Sequence, residues 1–311
     1  MSDVVFEQRV EIIKEIFGSC YYNRNNNEAV VYCPEHSHHK RKLSINVEKN
    51  SYRCWVCGLG GYKIYGLLSK YASYDQKKRY LETLGQKIRT WDEEEAVELR
   101  LPDDYKFVLN QSSPTALAAL SLLRNELNLD DNTIIQNKIG FCEEGMYQGR
   151  VLFPSFDSEG KLNYFITRKV FSDSGKKYLD CAAEKKSVIY NEIFLDWSKP
   201  IILVESTKTY LRHFMVPNVI PLMGTKIDER NRSFQEIILR DCPKVYIAFD
   251  ADAKQHSLNL VKKFKSYGIE CRHASPEGRL DSMPTTSFLR CLKESKSFDL
   301  DGLLLERMRG I

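Results

Sequence analysis

The chain has 311 residues, 42% of them hydrophobic and 28% charged, with a net charge of +4, an ordinary composition for a soluble globular protein of two or three domains. No run approaches the length of a bilayer span, and the N-terminus MSDVVFEQRV lacks a signal-peptide pattern. Nine cysteines, an odd number and mostly scattered, argue against a disulfide framework, so a cytoplasmic protein without a membrane partner is expected.

From the N-terminus, Val4, Val5, Val10, Ile12, Ile13, Ile16 and Phe17 recur at helical spacing and stop at Gly18. Cys33-Pro34-Glu35-His36 then comes seventeen residues before Cys54-Trp55-Val56-Cys57. Each is a ligand pair with the two-residue gap of a metal knuckle, and Cys3His is a closed tetrahedral set for zinc. Between them a strand over 42–48, a turn at Lys49-Asn50-Ser51 and a strand returning from Tyr52 make a zinc ribbon. His38 and His39 compete with His36 as ligand; the two-residue gap favours His36. A short helix carrying Ile64, Leu67, Leu68 and Tyr71 closes the module, whose small core is expected to fail first when zinc is lost. Tyr52, Arg53 and Trp55 interleave aromatic and basic residues as single-strand readers do; the competing reading buries Trp55 in the ribbon's core.

Residues 81–104 read as an acidic linker, with seven acids and one arginine between Asp92 and Asp104. A helix is expected over 114–125, with Pro114 in its first turn. VLFPSF, a turn at Asp157 to Gly160 and KLNYFITRKVF then form a hairpin signature, rich in Lys and Arg. From Lys199 short apolar strands alternate with helices: strands at 201–204, 219–222, 245–249 and 269–273, helices at 207–215, 229–240 and 255–267. That alternation means a buried, mainly parallel sheet. One or two short helices are expected beyond Thr285.

Ligands bind beyond the carboxyl ends of strands in such sheets, and two strands here end in acids: Ile201-Ile202-Leu203-Val204-Glu205 and Phe249-Asp250-Ala251-Asp252. Three carboxylates converging at one edge repel unless a hard cation sits among them, and Mg2+ is the natural occupant, with Mn2+ as an alternative. The competing reading makes Glu205 and Asp252 simple helix caps.

These motifs resemble a known family. The two acidic strand ends look like the motifs of the Toprim fold, and CPEH…YRCWVCGLGG with KLSIN between looks like the zinc-binding domain of DnaG-type primases, in a compact form similar to bacteriophage versions. LSLLRNELNLDDNTIIQNKIGF and GRVLFPSFDSEGKLNYFITRKV…KKYLD resemble the start and the basic segment of that family's RNA polymerase domain. The resemblance implies a zinc-ribbon DNA-binding domain (1–80), the acidic linker (81–104), a basic α+β subdomain (105–198), a Toprim subdomain with a Rossmann-like parallel sheet (199–284) and a helical tail (285–311). It implies an RNA-primer-synthesising enzyme with Glu205, Asp250 and Asp252 as catalytic magnesium ligands, Asp281 as a further ligand, and Cys33, His36, Cys54 and Cys57 on one structural zinc. Arg150, Arg168 and Lys177 would line the template and nucleotide face. Single-stranded DNA, ribonucleoside triphosphates and a replicative helicase on a separate chain, docked through the tail, are the implied partners; the chain has no Gly-x-x-x-x-Gly-Lys-Ser/Thr loop of its own. Ser206 and Thr209 stand where the family carries glycine and aspartate, Met283 where it often has aspartate, and Ile189-Tyr190-Asn191 where it has Leu-Tyr-Gly. A non-catalytic single-strand-binding accessory protein and a Toprim nuclease are the alternatives.

Overall fold

The structure, a computed structural model, describes residues 3–23, 27–85, 99–171, 175–224, 227–240 and 242–298. Helix α1 (Asp3–Phe17) leads into an antiparallel sheet in the order β1 (Tyr21–Asn23), β2 (Glu28–Val31), β3 (Leu43–Asn46), β4 (Ser51–Cys54) and β5 (Gly60–Gly61). The turn from β3 to β4 places Asn50 in the left-handed region, φ 51°, which asparagine tolerates better than most residues. Helix α2 (Ile64–Tyr71) follows, then α3 (Tyr74–Thr83), started by a reciprocal capping box between Ser73 and Gln76. The hydrophobic pattern does not announce α3, because its buried side includes Lys77 beside Tyr80 and Leu81.

The second sheet is also antiparallel, in the order β10-β9-β8-β7-β6. It contains β6 (Lys106–Phe107), β7 (Gly140–Cys142), β8 (Arg150–Phe156), β9 (Leu162–Lys169) and β10 (Tyr178–Asp180). The expected hairpin is β8–β9, paired from Arg150↔Lys169, and its turn is tied by Asp157 Oδ1, which accepts from the amides of Glu159 and Lys161. The expected helix after Pro114 is α4 (Pro114–Ser121), continued by a π-helical turn over Leu122–Glu126; α5 (Asp131–Gln136) comes next.

The third sheet is parallel, in the order β12 (Val219–Pro221), β11 (Ile201–Val204), β13 (Val245–Ala248), β14 (Cys271–Ala274). Helices α6 (Thr207–Arg212), α7 (Arg232–Leu239) and α8 (Lys254–Ser266) connect its strands, and α9 (Thr285–Lys293) follows it. Its strands are buried on both faces, and alternate side chains enter different cores. Ile201, Leu203, Val245 and Ile247 join one cluster with Phe234 of α7, Phe264 of α8 and the zinc-module residues Tyr65, Leu68 and Leu81. Ile202, Val204 and Ala248 join another with Tyr210, Phe288 and the antiparallel subdomain.

The N-terminal module is therefore fastened to the parallel sheet's helices. Tyr65 donates its hydroxyl to the Ile238 carbonyl at 2.6 Å and meets Tyr267 edge-on with ring centroids 5.3 Å apart. Lys63 Nζ lies 4.1 Å from the Tyr267 ring centroid and donates to Ser266 Oγ at 2.9 Å. This seam bears on the expectation that the zinc module fails first when zinc is lost, because the two parts share buried apolar surface.

The start of the tail, the expected docking element, packs onto the parallel-sheet subdomain. Phe288 of α9 is fully buried, its ring stacked 4.3 Å from that of His213, and Lys296 bridges to His273 at the edge of β14. Residues 285–298 thus cover the sheet; the rest of the tail, and 86–98 of the acidic linker, lie outside the described residues. No helix among the described residues is long and apolar enough to cross a membrane.

Tyr65→Phe strands the Ile238 carbonyl in this seam, a loss of roughly 1–3 kcal/mol. In urea unfolding, variants retaining only Trp55 or only Trp197 should report one common transition, shifted equally by the substitution and by zinc chelation. Two separated transitions would mean that the seam does not couple the parts.

Candidate metal centres

The first centre stands on the ribbon. Cys33 and His36 follow β2, while Cys54 ends β4 and Cys57 closes the next turn; one ligand atom from each lies within 4.8 Å of all the others. Cys33 Sγ is 3.7 Å from Cys57 Sγ, the edge of a tetrahedron with Zn–S bonds of about 2.3 Å. Cys54 Sγ is 3.9 Å from His36 Nδ1, and His36 Nε2 is buried with no hydrogen-bond partner. Burial, with the neighbouring thiols, pushes Cys33 up to about 12. Burial also raises Cys54, but the amides of Cys57 and Val56 and the other thiols outweigh it and leave that thiol lowered. Metal binding requires these thiols to lose their protons, so a cation seated among them would replace those protons and be bound in a pH-dependent way. His38 and His39 are outside the cluster: His38 Nδ1 accepts from the Lys40 amide at 3.0 Å, and the two rings stack on each other.

Strand alternation sorts the ribbon's outward residues. Tyr52 and Cys54 point in, and Arg53 and Trp55 point out. Tyr52 is half-buried with its ring over Gly61, so it belongs to the ribbon's packing and not to an open reading face. Trp55 is 69% exposed, which removes the reading that it fills the core, and the Arg53 guanidinium lies 4.9 Å from its ring centroid. A second such pair, Arg41 at 5.1 Å over Tyr32, was not evident from spacing, because its members are nine positions apart on different segments.

The second centre lies where the parallel sheet's order reverses. The chain leaves β11 for β12 on one side and returns to β13 on the other, which opens a crevice at the carboxyl ends of β11 and β13. Glu205 follows β11 directly, and Asp250 follows β13 after Phe249. A turn of 3-10 helix over Ala251–Ala253 brings Asp252 back toward them, and the three carboxylates converge within 4.8 Å. The Asp250 amide donates to Glu205 Oε2 at 3.1 Å. Burial raises the Glu205 carboxyl above its ordinary value, reinforced by Asp250 and Asp252 against the Asp250 amide. All-oxygen ligands at a partly solvated edge fit Mg2+, which keeps several waters and takes few carboxylates.

Asp281 does not join this cluster. Its carboxylate takes Arg279 Nε and Nη2 at 3.2 and 2.9 Å, Ser282 Oγ at 2.9 Å and Lys208 Nζ at 3.3 Å. Arg279 above all holds that carboxyl well below the usual carboxylate range. The expected magnesium ligand is thus saturated by cations and a hydroxyl. Thr209 is buried, and its amide donates to Ser206 Oγ at 3.1 Å, so Ser206 caps α6 and Thr209, where an aspartate was expected, only receives that cap. Sequence reasoning missed Lys208 and Arg279; the one signal was a base two residues before Asp281.

The basic residues also divide. Arg150 is 5% exposed and its guanidinium donates to the carbonyls of Lys176 and Lys177 at 2.7 and 3.4 Å. Arg168 is 6% exposed and pairs with Glu126. Arg150 ties β8 to the segment before β10, and Arg168 ties β9 to the π-helical turn after α4; both are buried within paired strands, so neither offers an open template surface, contrary to expectation. Lys177 is exposed.

A buried histidine supports the acidic centre from behind. His213 Nε2 donates to the Leu280 carbonyl at 2.8 Å, and Nδ1 accepts from Thr285 Oγ1 at 3.1 Å. The Leu280 amide in turn donates to Asp250 Oδ1 at 2.8 Å. Burial lowers the His213 pKa from its ordinary 6.5, so the folded protein binds its proton less readily than the unfolded chain. The stability this contributes is complete above about pH 6.5 and is lost as pH falls toward the depressed folded value. Melting temperatures at pH 7.5 and 5.5 should fall further for the wild type than for His213→Gln; parallel falls would show that another group dominates.

No protein-family profile and no curated protein sequence matches the chain. Comparison of folds does find relatives. A DnaG primase catalytic domain bound to single-stranded DNA aligns with 66% of this chain and 78% of its own, at 17% identity and a TM-score of 0.52. The RNA polymerase domain of Mycobacterium tuberculosis primase DnaG aligns with 66% and 82%, at 14% identity and 0.52. The E. coli primase catalytic core aligns with 63% and 78%, at 16% identity and 0.50. At such identities the likeness is one of architecture. Over about two thirds of its length, this chain has the fold of the DnaG primase catalytic domain.

Proposed function

We propose that this protein is a DNA primase, a magnesium-dependent nucleotidyltransferase that joins ribonucleotides de novo on single-stranded DNA. The observation that carries the reading is the convergence of Glu205, Asp250 and Asp252 at the switch point of a primase-type parallel sheet. The Cys3His centre beside outward Arg53–Trp55 and Arg41–Tyr32 pairs adds a second support. A structurally similar primase domain is bound to single-stranded DNA, which favours the same template here. Ribonucleoside triphosphates as substrates and a replicative helicase as partner follow from the same reading.

The chain's own groups are arranged for positioning and electrostatics. Glu205, Asp250 and Asp252 would hold the cation, which when bound neutralises phosphate charge and favours the ionised 3′-hydroxyl. The Asp250 amide fixes Glu205 Oε2, and the Leu280 amide fixes Asp250 Oδ1, so two of the three carboxylates are oriented before any ligand arrives. Cys33, His36, Cys54 and Cys57 would hold structural zinc, keeping β4 in the register that turns Arg53 and Trp55 outward. Bases would stack on Trp55, with the guanidinium of Arg53 near the phosphates.

Zinc-loaded protein, incubated with single-stranded DNA, Mg2+ and labelled ribonucleotides, should make short RNA products. Asp250→Ala/Asp252→Ala should reduce them about a thousandfold or more, since a catalytic metal supplies several kcal/mol. Silence of the wild type on varied templates would favour the accessory binding protein, and DNA cleavage without ribonucleotides would favour the nuclease. Arg53→Ala/Trp55→Ala should weaken binding of a labelled oligonucleotide by about tenfold, from a stacking contribution of roughly 1–3 kcal/mol per base. Fluorescence anisotropy at fixed salt checks this, with zinc content measured in parallel; unchanged affinity would remove the ribbon from the template interface.

A further inference from the structure

We infer that the acidic centre takes one divalent cation and no second, and that Lys208 and Arg279, braced on Asp281, supply positive charge on its other flank, with Arg279 placed to receive a nucleotide phosphate. The inference rests on the polymerase reading and deepens it.

Charge balance carries the first half. Glu205, Asp250 and Asp252 bring three negative charges and Asp281 a fourth; Lys208 and Arg279, both bonded to Asp281, return two. The remainder is two negative charges, which one divalent cation cancels. Among the described residues, a second cation would also lack protein carboxylate ligands. Both Asp281 oxygens are taken by Arg279, Ser282 and Lys208, and releasing them would break a two-point arginine–carboxylate pair whose acceptor is 4% exposed. Thr209, the other position from which a carboxylate would reach in, is buried in the cap of α6 with its hydroxyl 3.0 Å from Ser206 Oγ.

The location of the two bases carries the second half. Lys208 lies in the first turn of α6, three residues after Glu205. Arg279 immediately precedes Leu280, whose amide holds Asp250, and its guanidinium lies in the field of Asp250 and Asp252 as well as Asp281. Asp281 engages only one edge of the guanidinium, through Nε and Nη2. The side chain is 67% exposed, so its other edge is open to a ligand. A guanidinium held rigid beside a cation site, with donors to spare, matches the tetrahedral oxygens of a triphosphate.

The test counts Mn2+ bound to zinc-loaded protein by titration calorimetry and electron paramagnetic resonance. One ion lost on Asp252→Asn is expected, the exposed Asp252 being chosen so that folding is spared. Lys208→Met/Thr209→Asp, which removes a base and adds a carboxylate, should bind one further Mn2+. Arg279→Gln should weaken ATP binding in the presence of Mn2+ by about tenfold, the effect of one charged hydrogen bond. Two ions removed together by Asp252→Asn would overturn the single-cation count and leave the polymerase reading standing. Failure of the double substitution to admit a second ion would overturn the assignment of the count to these residues, and unchanged ATP affinity in Arg279→Gln would overturn the phosphate role. If Asp252→Asn removes no Mn2+ at all, the metal centre fails, and the polymerase reading fails with it.

Discussion

Everything in this chain is arranged around a short parallel sheet that must be buried on both faces. Strands such as Ile201–Val204 present apolar side chains alternately to the two sides, each worth roughly 1.5–3 kcal/mol when fully buried. One side is covered by α7, α8 and the zinc module, the other by α6, α9 and the antiparallel subdomain. The strand interiors are thereby closed to polar chemistry, and the first positions where acids meet solvent are the carboxyl ends. Glu205 and Asp250 occupy those ends on adjacent strands, so the requirement that buries the sheet also brings the carboxylates together.

That arrangement leaves an electrostatic tension that the surrounding groups manage unevenly. Amides of Asp250 and Leu280 orient two of the carboxylates without neutralising them. Asp281, by contrast, is fully compensated by Arg279, Lys208 and Ser282. Uncompensated charge is thus concentrated in the crevice, where a divalent cation would remove the repulsion. His213 connects this balance to packing: it holds the Leu280 turn while stacking on Phe288 of α9. The first residues after the sheet therefore take part in shaping its acidic edge.

A polar joint fastens the antiparallel subdomain to the parallel sheet. Asn191 adopts a left-handed conformation, φ 50°, at the position where the family carries glycine. Asparagine tolerates that region, and its side chain then does what glycine cannot: it donates to Asn137 Oδ1 and Tyr210 and accepts from the Phe156 amide. Each of these contacts is at least partly buried, where an unpaired polar group is costly. Asparagine here thus keeps the backbone turn and adds a tie between β8, the C-terminal end of α5 and α6.

The amino-acid sequence by itself determined the features governed by local spacing. Two-residue gaps within the Cys/His pairs, a ribbon-length insert, apolar runs alternating with helices and acids at two strand ends all act over a few residues, so the gathering of Cys33, His36, Cys54 and Cys57, and of Glu205, Asp250 and Asp252, was legible before any fold. Tertiary structure decided which charged residues are free. Arg150 and Arg168 look like open basic residues in a list, but strand pairing buries them against carbonyls and Glu126. Asp281 looks like a ligand until Lys208, far away in the chain, closes on it. Likewise, the apolar residues of α2 do not reveal what they pack against, and only the apposition of Tyr65 with Ile238 and Tyr267 shows it. The physical reason is common to all three: local conformation follows from short-range sterics and hydrogen bonding, whereas the partner that neutralises a charge or covers an apolar face is chosen by the fold as a whole.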